Sequence, residues 1–340
     1  MRTINISCIV IFLLGLIQTS IGIAKDTPDQ ILTYKTIGAV KLQLHLFKAP
    51  DHKVTDKKPS IVFFFGGGWV GGSPSQFYPH CRYFATRGMV AISAEYRIKS
   101  KHKTRPYECV KDGKSAIRWV RKHAPEIGID PNRIAAGGGS AGGHVAAATG
   151  TVKGFEESSE DASISSRPNA LVLFNPVYDN GPTGYGHERV QDRWQEFSPL
   201  HNLDKHTPPT IVFLGTQDKL IPVATAEKYK EIMKKAGVRC DLHLYRGQPH
   251  GFFNYRKGKN PYYFETVIAA DQFLISLGYL KGNPSPRQMD YAPGLGGNVG
   301  AGVGAGEIGG TAEGSSSVSG SGGRVISGNS SICQSKPRSS

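Results

Sequence analysis

Hydrophobic positions along the chain follow two periods that take turns. Val40, Leu42, Leu44 and Leu46 are apolar with polar residues between them, the alternation of a half-buried strand. With residues 31–37 and the turn at Gly38-Ala39, this reads as an antiparallel hairpin. The pattern then changes to continuous apolar runs at 61–65, 89–92, 170–174 and 210–214, as expected for strands covered on both faces of a mostly parallel sheet. Between the runs the period lengthens. Val110, Ile117, Trp119 and Val120 punctuate a charged stretch over 108–123, and Ala226, Tyr229, Met233 and Ala236 recur up to Gly237, which predicts helices over 108–123 and 224–236. A last helix is expected near 262–277, ending at Gly278. Strands alternating with helices predict a doubly wound α/β sheet entered through a hairpin. Ligands of such sheets gather beyond the carboxyl ends of the strands, so the residues just after each apolar run hold the candidate chemistry.

The two ends have another character. Arg2, the apolar run from Cys8 to Ile17, and Gly22 and Ala24 follow the order of a secretory leader over residues 1–24. The run is short for a permanent membrane anchor, and Cys8 lacks the small-residue context of a lipoprotein signal. A secreted or periplasmic location is expected. Residues 283–340 are rich in Gly and Ser and are expected to form a disordered tail, too poor in large apolar groups to offset the entropy of ordering. One α/β domain over residues 25–282 remains, large enough for a substantial core.

The formal net charge is +14. Its densest cluster runs from Lys99 to Arg105; it suits attraction of an acidic polymer, but the plainer reading, a solvated loop between a strand and a helix, is favoured. No nucleic-acid-binding module is legible. Past the leader the cysteines are Cys81, Cys109, Cys240 and Cys333, without metal-ligand spacing. Cys81 and Cys109, expected on neighbouring helices, are the candidate disulfide in an exported protein.

Gly138-Gly139-Ser140-Ala141-Gly142 fits G-x-S-x-G, a nucleophile elbow between a strand at 133–136 and an Ala-rich helix. Glycines suit a turn too tight for side chains, and the amino end of the helix favours negative charge at the reacting centre. Phe65-Gly66-Gly67-Gly68-Trp69 follows another strand and leaves backbone N–H groups open to a substrate oxygen. Such donors are worth about 3–4 kcal/mol each when preorganised for an oxyanion. No nucleotide-binding glycine pattern follows that strand. A serine nucleophile needs a base, and the base an orienting acid. Asp218 follows the 210–214 run and His250 follows a last strand at 241–245, giving the order nucleophile, acid, histidine. Asp179, after the 170–174 run, is the rival acid. His45, His144 and His243 lie in the hairpin, the elbow helix and a strand, and are poorer bases. Glu95 is expected to pair with Arg97.

Gly66-Gly67-Gly68-Trp69, Glu95-Tyr96-Arg97, residues 129–134, 138–143, Asp218 and His250 together resemble the hormone-sensitive-lipase-like esterases of the α/β-hydrolase fold. The closest likeness is to bacterial acetyl- and feruloyl-esterase-like members, which act on carbohydrate esters. The resemblance spans about residues 30–280. It implies a Ser140, Asp218, His250 triad, an oxyanion hole from the N–H groups of Gly67, Gly68 and Ala141, and no metal or cofactor. The sequence departs at Phe65, where the family has a histidine that braces the loop through hydrogen bonds; phenylalanine can only pack. The short stretches before the first strand and between 174 and 210 imply no large cap domain. An open site suits small acyl groups on bulky or polymeric alcohols, so the expected partner is a small-molecule or polysaccharide ester. The rival readings are a prolyl-oligopeptidase-type serine peptidase and a non-catalytic carbohydrate-binding protein.

Overall fold

The computed structural model describes residues 27–256 and 259–285. The leader expected over 1–24 and all but the first three residues of the expected tail lie outside them, as does Cys333. The sheet is built from β1 (Gln30–Ile37), β2 (Val40–Phe47), β3 (Lys58–Phe64), β4 (Val90–Ala94), β5 (Ile129–Gly139), β6 (Ala170–Phe174), β7 (Thr210–Gly215) and β8 (Cys240–Tyr245). Its spatial order is β1-β2-β4-β3-β5-β6-β7-β8. β2 runs against both β1 and β4, and all other pairs are parallel. The hairpin and the parallel sheet are those the hydrophobic pattern predicts. β5 reaches back to Ile129, across Pro131, because Lys58 of β3 pairs with Ile129 before a register shift.

Among the described residues seven helices lie between strands and an eighth follows the last: α1 (Tyr78–Thr86), α2 (Lys99–His102), α3 (Pro106–Lys122), α4 (Ala141–Thr151), α5 (His187–Val190), α6 (Trp194–Phe197), α7 (Val223–Lys235) and α8 (Pro261–Ser276). Successive strand residues face opposite ways, and β3 shows where the layers lie. The Phe63 ring stacks on Phe77 and reaches Phe84 of α1. Phe64 faces Gly113 of α3, which in turn abuts Val145 of α4. α8 joins the α1 layer, where Arg87 Nε donates to Asp271 Oδ2 at 2.6 Å. Each fully buried phenylalanine contributes about 1.5–3 kcal/mol, and β3 places two of them back to back at the centre.

This layering overturns the expected disulfide. Cys81 on α1 and Cys109 on α3 are free thiols, with the sheet between them. Helices that follow one another in a doubly wound chain can lie on opposite faces, so order along the chain was the wrong guide. Cys109 Sγ instead donates to the Arg97 carbonyl at 3.1 Å, and burial pushes both thiols well above their usual range. No helix among the described residues is long and apolar enough to cross a membrane. The connection from β6 to β7 is shaped, not bare: α5, α6 and two single 3₁₀ turns fold it against Trp69, whose ring meets Tyr185 and Phe197.

Candidate active site

Five strands, β3, β5, β6, β7 and β8, deliver their trailing loops to one rim of the sheet. β5 leads directly into Ser140, held at φ 55° and ψ −122° as α4 begins. Few residues other than glycine take a positive φ, and the surroundings impose it here. Ser140 N–H donates to Phe174 O at 3.0 Å, and Ser140 O accepts from His144 and Val177. A side chain at Gly138 would strike the Gly142 carbonyl, and one at Gly142 would strike that of Phe64. The G-x-S-x-G pattern is therefore a packing requirement of the turn.

His250 lies in the loop after β8. Its Nε2 is 2.9 Å from Ser140 Oγ and its Nδ1 2.7 Å from Asp218 Oδ2. The Asp218 side chain is fully buried, and its other oxygen accepts from the N–H groups of Leu220 and Ile221 at 2.8 and 3.0 Å. The β7 and β8 loops are stitched together by Gln217 N–H to Gln248 O and Gly247 N–H to Thr216 Oγ1. The structure thus brings together Ser140, Asp218 and His250. Asp179 is not among them; its Oδ1 accepts from Gly181 N–H and sits 4.0 Å from His201.

The other histidines point elsewhere. His45 Nδ1 bonds Tyr78 OH, and His144 Nε2 meets Phe197 O. His144 stacks on Phe197, and burial lowers its pKa to about 3. His80 is caged by Phe77, Phe174, Phe253 and Tyr263, and burial lowers it to about 3 as well. Among the described residues, no group of three or more His, Cys, Asp or Glu is placed to hold a metal ion.

Asn175 escapes sequence reasoning. It directly follows β6 at φ 32°; its Oδ1 accepts from Gly251 N–H at 3.0 Å, and its Nδ2 lies 3.4 Å from His250 Nε2. It anchors the loop that carries the imidazole. Only its position after a buried strand could have drawn attention to it.

The glycine loop after β3 faces Ser140 directly. A Cβ at Gly66 would come 3.4 Å from that of Ser140. Gly67 and Gly68 sit at φ 125° and 62°, in the region that favours glycine. Neither donates its N–H to another described residue. Ala141 opens α4, so its N–H has no partner within the helix. The bracing that the family histidine would give comes from other groups. Gln76 Oε1 accepts from Gly66 N–H at 2.6 Å, and its Nε2 donates to Asn254 Oδ1 at 2.9 Å. Tyr96 OH donates to Phe65 O at 2.6 Å, while the Tyr96 and Phe65 rings stack with centroids 4.2 Å apart. From the β6–β7 connection, Arg189 Nη1 donates to Gly68 O at 2.7 Å. Phe65 itself packs, as its chemistry dictates.

The expected pairing of Glu95 with Arg97 does not form. Arg97 takes the buried carboxylate of Asp112 at 2.8 Å through both Nε and Nη2, whereas Glu95 accepts from Gln43 N–H at 3.1 Å. The rim encloses a cleft of about 470 Å³ with Ser140 and His250 in its wall and Val70, Tyr185 and Leu220 around them.

A family model described as BD-FAE matches residues 46–183, and one described as alpha/beta hydrolase fold matches residues 183–254. Among solved structures, the apo form of Thermogutta terrifontis esterase 2 is 47% identical with a TM-score of 0.72, over 75% of this chain and 96% of that one. The chain belongs to the α/β-hydrolase-fold esterases. A probable carboxylic ester hydrolase, LipM, of Mycobacterium tuberculosis is 28% identical over 73% of this chain and 61% of its own length. An acetylxylan esterase of Xylanibacter ruminicola is 26% identical over 82% of this chain and 56% of its own. The chain thus spans a little over half the length of these two curated relatives. Within that fold, Gln76, Tyr96 and Arg189 brace the glycine loop.

Proposed function

We propose that the protein is a serine carboxylesterase that removes short acyl groups, acetyl or feruloyl, from carbohydrates. The observation that carries this reading is the continuous relay from Asp218 through His250 to Ser140, opening on the free N–H groups of Gly67 and Gly68. In the proposed reaction His250 Nε2 takes the Ser140 proton as Oγ attacks the ester carbonyl. Asp218 holds the ring by its Nδ1–H and stabilises the imidazolium. The charge that develops on the carbonyl oxygen falls to the N–H groups of Gly67, Gly68 and Ala141, in a site where fixed donors need no reorganisation. His250 then protonates the leaving alcohol, and the same base activates the water that releases the acid.

Three observations support a short acyl group on a carbohydrate. Val70 and Leu220, both at least 40% exposed, form an apolar lip on the cleft, enough for a small acyl group. Thermogutta terrifontis esterase 2 has been solved with propionate and with butyrate bound. The Xylanibacter relative is an acetylxylan esterase. Export through the leader read at residues 1–24 belongs to the same proposal, since it would place the enzyme beside polysaccharide esters.

The test is a p-nitrophenyl ester series from acetate to octanoate, run beside acetylated xylo-oligosaccharides and methyl ferulate. Acetate to butyrate should be preferred, and Ser140→Ala should abolish turnover with its melting transition retained. Turnover persisting in that variant would overturn the proposal.

A further inference from the structure

Beyond Gly68, a second pocket of about 490 Å³ adjoins the cleft. The two share Gly68, Val70 and Arg189 in their walls, so a ligand acylated at one end and held over Ser140 can continue into the second. Lys99, Lys103 and Arg105 line that pocket with Arg189. Lys99 opens α2 and Lys103 follows its end, and all three side chains are exposed. None of the three forms an ion pair with a carboxylate among the described residues. Arg189 already spends one nitrogen on Gly68 O and pairs with Glu188, the one acidic residue in the wall. Four cations against one carboxylate leave a net positive pocket. Thr104 Oγ1 is buried in its wall without a hydrogen-bond partner, a polar group that protein atoms leave unsatisfied. Val70 and Pro106 supply an apolar floor.

We propose that this pocket is a subsite for an anionic sugar, so that the substrates are acyl esters of acidic glycans carrying carboxylate or sulfate groups. The inference rests on the esterase reading and refines it. A floor flanked by cations suits a sugar ring whose anionic substituent points to the rim, and clustered unpaired cations attract such a chain at long range.

The test separates binding from turnover. Binding is measured on the full chain carrying Ser140→Ala, with trigalacturonate, sulfated xylotriose and neutral xylotriose as probes, at low and high salt. At least one anionic probe should bind about tenfold tighter than xylotriose, since several exposed charge pairs, each weak alone, add to that order. High salt should erase the preference, and so should Lys99→Gln, Lys103→Gln and Arg105→Gln combined. Whichever anionic probe binds identifies the anion as carboxylate or sulfate. Equal binding of all three probes, or a preference that survives the triple substitution, overturns the subsite. p-Nitrophenyl acetate, too small to reach the pocket, reads the catalytic centre of the unsubstituted chain separately. No hydrolysis of it alongside intact anion preference would refute the esterase reading and leave the anion pocket standing.

Discussion

Replacing Gln76 by Met keeps the length of the side chain and removes its hydrogen bonds. Gln76 Oε1 is the acceptor for the Gly66 N–H at 2.6 Å, and Gly66 is buried against Ser140. The same side chain ties the loop to Asn254 at 2.9 Å. A buried N–H left without a partner costs about 1–3 kcal/mol, and the loop can relieve that cost only by turning. Turning Gly66 moves the N–H groups of Gly67 and Gly68, its immediate successors. Loss of a whole oxyanion donor, about 3–4 kcal/mol, sets the ceiling, while Tyr96 and Arg189 still hold the loop at Phe65 and Gly68. The expected loss in kcat for p-nitrophenyl acetate is therefore roughly tenfold, or about 1.4 kcal/mol, with KM little changed. A donor lost only in the transition state should weaken a trifluoromethyl ketone inhibitor in proportion to kcat/KM. An unchanged kcat would refute the reasoning, as would a fall in kcat with unaltered inhibitor affinity, which would mean that Gln76 matters to stability alone.

Two further expectations follow from the same geometry. Asp218→Asn should lower kcat by roughly 10⁴-fold, the loss seen when a triad acid can no longer fix the imidazole tautomer, whereas Asp179→Asn should leave most activity because its carboxylate faces Gly181 and His201; comparing kcat for the two variants decides which acid serves. Burial holds His80 and His144 at about 3 against an ordinary 6.5, so below about pH 6.5 the unfolded chain binds protons that the folded chain refuses, and stability falls as pH falls. Each ring should contribute up to about 1.4 kcal/mol per pH unit. Denaturant midpoints between pH 7 and 5, above the carboxylate range, should shift accordingly, and His80→Phe should remove one ring's share of that slope, to which His201 and His243, also lowered by burial, add their own.

Much of this was legible in the sequence because of where the residues fall. Asp218 follows a strand whose apolar run marks it as buried, while Ser140 and His250 follow β5 and the half-buried edge strand β8, which the strand–helix alternation places in the same sheet, so the order of elements sends all three to one rim. The beginning of β5 was not legible, since Asp130-Pro131-Asn132 reads as a break; pairing with β3 extends the strand regardless. The disulfide and the Glu95–Arg97 pair failed for a related reason. Nearness along the chain cannot say which face of the sheet a helix covers, nor that Asp112 of α3 offers Arg97 a buried carboxylate. Gln76, Asn175 and Arg189 escaped notice because their roles arise where loops from different strands cross, and no motif marks such crossings.

The proposed chemistry requires that one hydroxyl, that of Ser140, be activated by His250. Incubating the full chain with a fluorophosphonate and mapping the adduct by peptide mass spectrometry tests it most directly. One adduct per chain is expected, on Ser140, formed far more slowly once His250 is replaced by Ala. An adduct on another serine, no adduct at all, or labelling indifferent to the loss of His250 would contradict it.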